Sequence, residues 1–322
     1  MDDYVSWLLE GPPWVQYRTR MDLLDEDEDS PQILAARVAM LRHPQIQALL
    51  AEVATWPGPA IKRHNDTSLL LHKLTFLAEL GIKSTDSVIQ PTLERILDRR
   101  SQEGMFQVVT AIPTHFGGSG QDQWLWMLCD MPLIISALAK MELQTDDRVQ
   151  AAARYLAGLL RGNGWPCAAA PEVGRFRGPG RKDDPCPYAT LISLEAMLQF
   201  PEWVNSQICR AGAESLLQLW QRRRETKPYL FAMGSGFAKL KAPLIWYDIL
   251  HVTNVLTQFE WLREDSRLQE MVEIIREKAD SEGRFTPESI WVAWKAWDFG
   301  QKRLPSPWLT LLAQRIIRRM RM

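Results

Sequence analysis

The chain has 322 residues, 46% hydrophobic and 24% charged, and its 38 basic and 39 acidic residues give a formal net charge of −1. This composition is typical of a globular protein and excludes long disorder, collagen and coiled-coil rods. Because there is no basic surplus to neutralise phosphates, we expect no nucleic-acid partner. The sequence shows no secretion signal and no apolar stretch of about 18 residues that would span a membrane. A reducing cytoplasm is the expected location.

Apolar residues recur at helical spacing along most of the chain, and strand-like alternation is nearly absent. In chain order, this pattern predicts helices over 31–55, 66–81, 85–100, 124–141, 145–162, 187–200, 203–223, 244–261, 265–280 and 304–320. Short turns between these helices alternate with long irregular connections. That alternation indicates that helical hairpins are the repeating unit.

The predicted hairpins repeat about every 60 residues. Gly104, Gly164 and Gly283 open three of the long connections, 60 and then 119 residues apart. The helices that follow keep a common register at steps of 59 residues, seen first in Cys129, Tyr188 and Tyr247 and then in Asp130, Ala189 and Asp248. A last half-hairpin at 305–317 has the segment 4–24 as its natural partner, and their pairing would close a ring.

We therefore predict an all-α fold, a closed α/α toroid of about five to six helical hairpins, with an open solenoid as the alternative. The whole chain, 1–322, forms one domain in this prediction. Residues 1–60 close the ring, and residues 61–322 carry the hairpin repeats.

The loops Gly104-Met105-Phe106, Gly164-Trp165 and Gly283-Arg284-Phe285, each followed by an aromatic-rich helix, resemble those of the squalene and terpenoid cyclases and the protein prenyltransferase β subunits. The segment GPGRKDDPCPYATLISLEAM at 178–197 is similar to a prenyltransferase loop that leads into an inner helix. The resemblance covers about residues 62–322. It implies a toroid whose aromatic central cavity accepts an apolar or isoprenoid ligand with a diphosphate-like head.

The chain departs from these families in its acidic motifs. It has neither the Asp-x-Asp-Asp tetrad of the type II cyclases nor the Asp-Asp-x-x-Asp motif of the ionising synthases. The zinc histidine of the prenyltransferases has no counterpart in DPCPYAT at 184–190. The resemblance therefore implies the fold more strongly than any of these activities.

A candidate anion site lies in the loop GRFRGPGRKDD at 174–184, because its glycines allow close backbone approach and its basic side chains donate charge-assisted hydrogen bonds. Its charged residues are Arg175, Arg177, Arg181, Lys182, Asp183 and Asp184. The alternative is a solvated loop in which the bases pair with the neighbouring acids. The other residues expected to contact the ligand are His115, Trp126, Tyr188, Trp246 and Tyr247, although the tryptophans would also suit packing between helices.

Three cysteines are candidates for a metal site. Cys129 lies at the start of an inner helix, while Cys167 and Cys186 bracket the long loop. Thiolates with one His or Asp suit tetrahedral Zn²⁺, and an open fourth position would activate a thiol or a water. The candidate companions are Asp130, Asp184, Asp248 and His251. Buried, unreactive cysteines are the alternative, and this is the expected state of Cys209 on an outer helix.

A pair of acidic residues is the candidate for acid–base catalysis. Asp130 and Asp248 occupy equivalent positions of the repeat, and His251 lies one turn after Asp248. A desolvated carboxylate has a raised pKa and can act as a general acid. The alternative is that these side chains satisfy buried hydrogen bonds.

His64 is expected to cap the first inner helix.

Three functions stay open. The first is an enzyme, or a protein derived from one, that binds an isoprenoid-like ligand. The second is a non-catalytic α/α barrel that binds a partner, and the third is a carbohydrate-active barrel in which Asp130 and Asp248 form a carboxylate pair. The fold alone does not choose among them.

Overall fold

The computed structural model describes residues 3–176, 178, 181, 183–225, 233 and 236–321. The α-helices of this part of the chain are α1 (Asp3–Leu9), α2 (Pro13–Asp22), α3 (Pro31–Arg42), α4 (Pro44–Val53), α5 (Leu70–Leu80), α6 (Gln90–Leu97), α7 (Met131–Leu138), α8 (Asp147–Gly158), α9 (Pro187–Met197), α10 (Pro201–Val204), α11 (Gln207–Gln221), α12 (Ile249–Leu256), α13 (Ser266–Arg276) and α14 (Pro307–Arg319). The protein is mostly helical, as the sequence predicts. None of the described helices has the length and apolar character needed to cross a membrane.

A small antiparallel sheet interrupts the helices. Its strands are β1 (Val108–Thr110) and β2 (Gln123–Leu125), and Val109 pairs with Trp124. The sheet lies within the connection between α6 and α7. The sequence did not predict it, because strands of three residues are too short to establish an alternating pattern.

The contacts divide the chain into two compact units, Met1–Leu49 with Gly234–Met322, and Leu50–Met233. In the first unit, α14 packs against α1, α2, α12 and α13. The Arg315 guanidinium lies 3.1 Å from the carboxylate of Asp22, and Arg318 donates to the Asp22 carbonyl at 2.6 Å. The last helix therefore packs on the amino-terminal segment that was expected to be its partner. Closure of the whole chain into a toroid stays a prediction.

In the second unit, α5 packs against α7 and α7 packs against α9, while α8 and α11 also contact α9. Every residue of α7 and of α9 is buried. Both helices are mostly apolar, as burial on all sides requires, and the buried Glu195 of α9 is paired with Lys140 at 2.6 Å. By contrast, α8 and α11 bury one face only. The unit therefore has a row of inner helices and a set of outer, amphipathic ones.

The repeat found in the sequence is visible in the turns. Gly104, Gly164 and Gly283 all have a positive φ, of 88°, 114° and 76°. Each glycine donates its N–H to the carbonyl three residues earlier, at 3.0 to 3.2 Å. The same turn therefore recurs at the start of three long connections.

The outer helices begin with equivalent caps at the same period. Asp146, Ser206 and Asp265 are the N-cap residues of α8, α11 and α13, and each side chain accepts a backbone N–H of the first turn. Asp265 also forms an ion pair with Arg267 at 2.7 Å, as Asp146 does with Arg148. These bonds hold the pKa of both aspartates below the ordinary value.

Several helix bounds differ from the prediction. The helix expected over 31–55 is two helices, because Pro44 lacks the N–H that would continue α3 and instead begins α4. The helix expected from residue 124 begins at Met131, because Gln123–Leu125 form β2. It continues into a π-helical turn, Ala139–Leu143, in which Glu142 has a φ of 71°.

Gly164→Ala is expected to lower the free energy of unfolding by about 2–4 kcal/mol. A side chain is strained at this φ, and a Cβ would lie 2.6 Å from Ser215 Oγ and 2.9 Å from Thr190 Oγ1. Gly158→Ala is the matched control, because a Cβ at that position in α8 meets nothing within 4 Å. Denaturant titrations of both variants measure the effect. Equal midpoints for the two variants would contradict the role of the turn.

Asp265→Ala is expected to cost about 1 kcal/mol of stability at neutral pH. Because the folded-state pKa of Asp265 is lowered, its contribution is complete above the ordinary carboxyl pKa and is lost as the pH falls through the folded pKa. The difference between wild type and variant should therefore shrink in acid. Unfolding titrations at a series of pH values measure this, and a difference that grows in acid would contradict it.

Candidate functional site

The amino termini of three consecutive inner helices bring chemically reactive side chains together in the Leu50–Met233 unit. Asp130 is the N-cap residue of α7, and Cys186 is the N-cap residue of α9. His64 lies in the segment that precedes α5 and contacts Asp130. Because α5, α7 and α9 pack side by side with these ends adjacent, the residues before each helix converge.

Cys129, Cys167 and Cys186 lie close enough together to shift one another's pKa. Backbone bonds explain how Cys167 comes near the other two: Leu128 N–H donates to the Ala168 carbonyl at 3.0 Å, and Cys186 N–H donates to the Trp165 carbonyl at 2.8 Å. Cys129 and Cys186 are buried, while Cys167 is half-buried. The three sequence-predicted thiols therefore form one cluster.

The three thiols differ in their pKa values. Interaction with Cys167 and Cys186, together with burial, raises the pKa of Cys129 well above the ordinary value. Interaction with Cys129 and Cys167 lowers the pKa of Cys186 well below it, and the Cys186 sulfur also accepts the Ala189 N–H at 3.5 Å. Cys186 lies at the amino end of α9, where the helix dipole also favours a thiolate.

The half-buried His64 and the buried Asp130 form a polar pair beside the thiols. His64 Nδ1 lies 2.8 Å from Asp130 Oδ1. Although burial by itself lowers the pKa of His64, the carboxylate of Asp130 and the charge of Cys186 raise it above the ordinary value. The expectation that His64 caps the first inner helix is wrong, because Leu69 is the N-cap residue of α5 and His64 turns to Asp130 instead.

Asp130 does not cap its own helix. Its side chain accepts no backbone N–H of α7, although aspartate at this position ordinarily does so. Asp248, the N-cap residue of α12, accepts the His251 N–H at 3.0 Å. Asp130 is fully buried, and within the described residues its Oδ2 has no hydrogen-bond partner. The residue thus forgoes a stabilising cap and keeps an unsatisfied oxygen in the cluster.

The backbone of His64 is also fixed. His72, on α5, donates its Nε2–H to the His64 carbonyl at 2.9 Å. Burial lowers the pKa of His72 to about 4, so its ring is neutral at neutral pH. Both the side chain and the main chain of His64 are therefore held in place.

In the described part of the chain, no three His, Cys, Asp or Glu side chains are already arranged as a metal site. Of the companions predicted for the thiols, only Asp130 is shown in this cluster. Asp184 is half-buried and accepts the Arg181 N–H at 3.4 Å.

The residues predicted around Asp248 belong to the other unit and have structural partners there. Lys241 Nζ lies 3.7 Å from Asp248 Oδ2, while burial raises the pKa of this carboxyl. His251 Nδ1 lies 3.1 Å from the Trp246 carbonyl. Acid–base catalysis by Asp130, Asp248 and His251 stays a prediction.

The predicted anion site is described only in part. Arg175, Arg181 and Asp183 are exposed, and the Asp183 carbonyl accepts the Asn163 side-chain amide at 2.7 Å. Arg177 and Lys182 lie outside the described residues. His115 is exposed and its ring lies 4.2 Å from that of Phe116. The described part of the loop agrees with a solvated segment.

The predicted aromatic residues are mostly packed in the interior. Trp126 is buried with its ring 5.9 Å from that of Tyr155, and Tyr247 is buried 5.3 Å from Phe237. Tyr188 is fully buried, and burial raises its pKa well above the ordinary value. Trp246 is half-buried. For Trp126 and Tyr247, these contacts agree with the packing alternative.

A cavity of about 250 Å³ lies next to the segment that carries His64. Its lining includes Trp56, Leu71 and Val108 as apolar walls, and Lys62 and Asp66 as charged groups. The indole N–H of Trp56 is buried and has no hydrogen-bond partner among the described residues. Sequence reasoning did not find this cavity, because its walls come from three separate segments.

The comparisons with known proteins do not identify this one. No protein-family model and no curated protein matches the sequence. Among solved structures, a protein from Actinoplanes aligns with 15% sequence identity and a TM-score of 0.43, over 96% of this chain and 90% of that chain. This similarity is too low to carry an argument about the fold family. Membership of the toroid superfamily stays a prediction.

Proposed function

We propose that this protein is a metalloprotein that binds a thiophilic cation, Zn²⁺ in the first place, through Cys129, Cys167 and Cys186. The observation that carries the proposal is that backbone bonds bring three thiols from separate segments of one compact unit close enough to shift one another's pKa. Three convergent sulfur ligands are typical of zinc sites.

The ion defines the spacing that the thiols have to adopt. Ligands about 2.3 Å from a tetrahedral Zn²⁺ lie about 3.8 Å from one another. Because the three thiols lie close together, we expect rotations of the cysteine side chains to bring their sulfurs to three corners of a tetrahedron.

The charge of the cluster also favours a cation. Three thiolates beside the buried Asp130 would bring four negative charges into one place, which is strongly unfavourable without a counter-ion. In the metal-free state the cluster reduces this charge by keeping the protons of Cys129 and Cys167. A divalent cation would replace these protons.

Purified protein is expected to contain one Zn²⁺ per chain, measured by elemental analysis after exhaustive dialysis. Cys129→Ser, Cys167→Ser and Cys186→Ser should each weaken zinc binding by more than about 100-fold, since a lost ligand costs more than a lost outer partner. Chelator competition measures the affinity, and circular dichroism checks that each variant folds.

Cys209→Ser is the matched control. Cys209 is fully buried in α11, and burial raises its pKa to about 11, so this variant loses a thiol outside the cluster. Its zinc content should equal that of wild type. The proposal is wrong if folded wild type takes up no zinc under these conditions, or if Cys209→Ser loses as much zinc as the other three variants.

A second candidate function is the binding of a small apolar ligand with an anionic head. The cavity next to His64 favours it, because Lys62 offers a cation and the indole N–H of Trp56 offers an unused donor. This site would use neither the glycine-rich loop nor the residues first predicted for the ligand. An isoprenoid diphosphate, the class of ligand that the sequence resemblance implies, combines an apolar chain with an anionic head.

Geranyl diphosphate is the probe for this second function, with inorganic diphosphate as the control ligand. A saturable rise in melting temperature with geranyl diphosphate is expected, because binding to the folded state stabilises it. Lys62→Ala should abolish the rise and Arg181→Ala should leave it. No rise in wild type, or loss of the rise only in Arg181→Ala, would contradict this location.

A further inference from the structure

We infer that His64 is the fourth ligand of the metal centre, through its Nε2, and that Asp130 positions its ring. This inference rests on the proposed function, because it names the corner that the three cysteines leave open. Sequence analysis predicted neither residue in this role: His64 was expected to cap a helix, and Asp130 was considered as an acid or as a direct ligand.

The hydrogen bonds of His64 leave one nitrogen for a metal. Its Nδ1 contacts the Asp130 carboxylate at 2.8 Å, while no hydrogen bond to its Nε2 is present among the described residues. A ring whose Nδ1–H is donated to a carboxylate is the tautomer that presents the Nε2 lone pair. This arrangement of carboxylate, imidazole and metal is the one that zinc proteins use to orient a histidine ligand.

Two hydrogen bonds fix the position of His64. The bond to Asp130 places the ring next to the residue that follows Cys129. The His64 carbonyl is held by His72 at 2.9 Å, which limits the movement of the segment. Cys186 is near enough to act electrostatically on the ring.

Asp130 is better suited to positioning the ring than to binding the metal directly. One carboxylate oxygen already accepts from His64, and the other is buried without a donor. A cation bound to the His64 ring offsets the cost of burying this carboxylate. The carboxylate also makes no N-cap bond to α7, so its one described side-chain bond is the bond to the His64 ring.

A site of three thiolates and one imidazole is complete. Metal sites with four protein ligands are structural, whereas catalytic zinc keeps an open position for water or substrate. The ion would therefore tie the amino ends of α5, α7 and α9 together instead of activating a water molecule. The sequence analysis, by contrast, considered a site whose fourth coordination position is open.

Co²⁺ is the probe, because its visible absorption reports the number and type of ligands in the full-length protein. His64→Gly should lower Co²⁺ affinity by at least about 10- to 100-fold and should change the absorption spectrum. Added imidazole should restore the wild-type spectrum by filling the space of the missing ring. A merely structural role of His64 would give no such rescue.

Asp130→Ala tests the positioning role. It should weaken Co²⁺ binding by about 10- to 100-fold while the ligand set, and hence the spectrum at saturation, stays unchanged. Asp248→Asn is the matched control, because Asp248 is also a buried N-cap residue but belongs to the other compact unit. Its Co²⁺ affinity should equal that of wild type, and a loss as large as that of Asp130→Ala would contradict the assignment.

Two failures can be told apart. If folded wild type binds no Co²⁺, the metal centre itself is wrong, and the role of His64 is wrong with it. If wild type binds Co²⁺ but His64→Gly keeps the same affinity and spectrum, the centre stands and only the fourth ligand is wrong.

Discussion

The side-by-side packing of α5, α7 and α9 determines where the chemistry of the Leu50–Met233 unit lies. Each inner helix follows a long connection, so its amino end marks the point where an irregular segment enters the core. Because these ends are adjacent, residues 66 and 56 positions apart in sequence meet, as His64, Asp130 and Cys186 do. Apolar residues pack these helices together. The polar residues at their amino ends are not needed for this packing and can therefore differ from one inner helix to the next.

Apolar packing can support such a cluster only if its polar groups have partners. This unit brings together three thiols, of which two are buried, a half-buried imidazole and a buried carboxylate with one unsatisfied oxygen. Burying such groups is costly unless hydrogen bonds or a cation compensate. Asp248 shares the unsatisfied oxygen but differs in its other contacts, since it caps its own helix and has a lysine nearby. Equivalent positions of the repeat thus carry a capping aspartate in one unit and a histidine-bound aspartate in the other.

Much of the architecture was predictable because it depends on periodic features. The turn glycines and the caps of the outer helices recur at about 60 residues, and the structure gives Gly104, Gly164 and Gly283 the same turn. Helix ends were less predictable. The actual start of α7 depends on a three-residue strand and that of α4 on a single proline.

The site was predictable only where residue type is distinctive. The chain has only four cysteines, and three of them lie near the starts of predicted inner helices. This placement made them candidates from the sequence alone. His64 carried no such signal, because its role depends on a contact across 66 residues. A short segment of polar residues before the first inner helix looks like an ordinary cap. Only the packing of α5 on α7 shows that its histidine reaches the next helix end.

The most direct test of the central claim is a crystal structure with anomalous diffraction measured on both sides of the zinc absorption edge. The account predicts one anomalous peak, bounded by the sulfurs of Cys129, Cys167 and Cys186 and by His64 Nε2. A peak away from these four atoms, or cysteine sulfurs too far apart to share one ion, would contradict it.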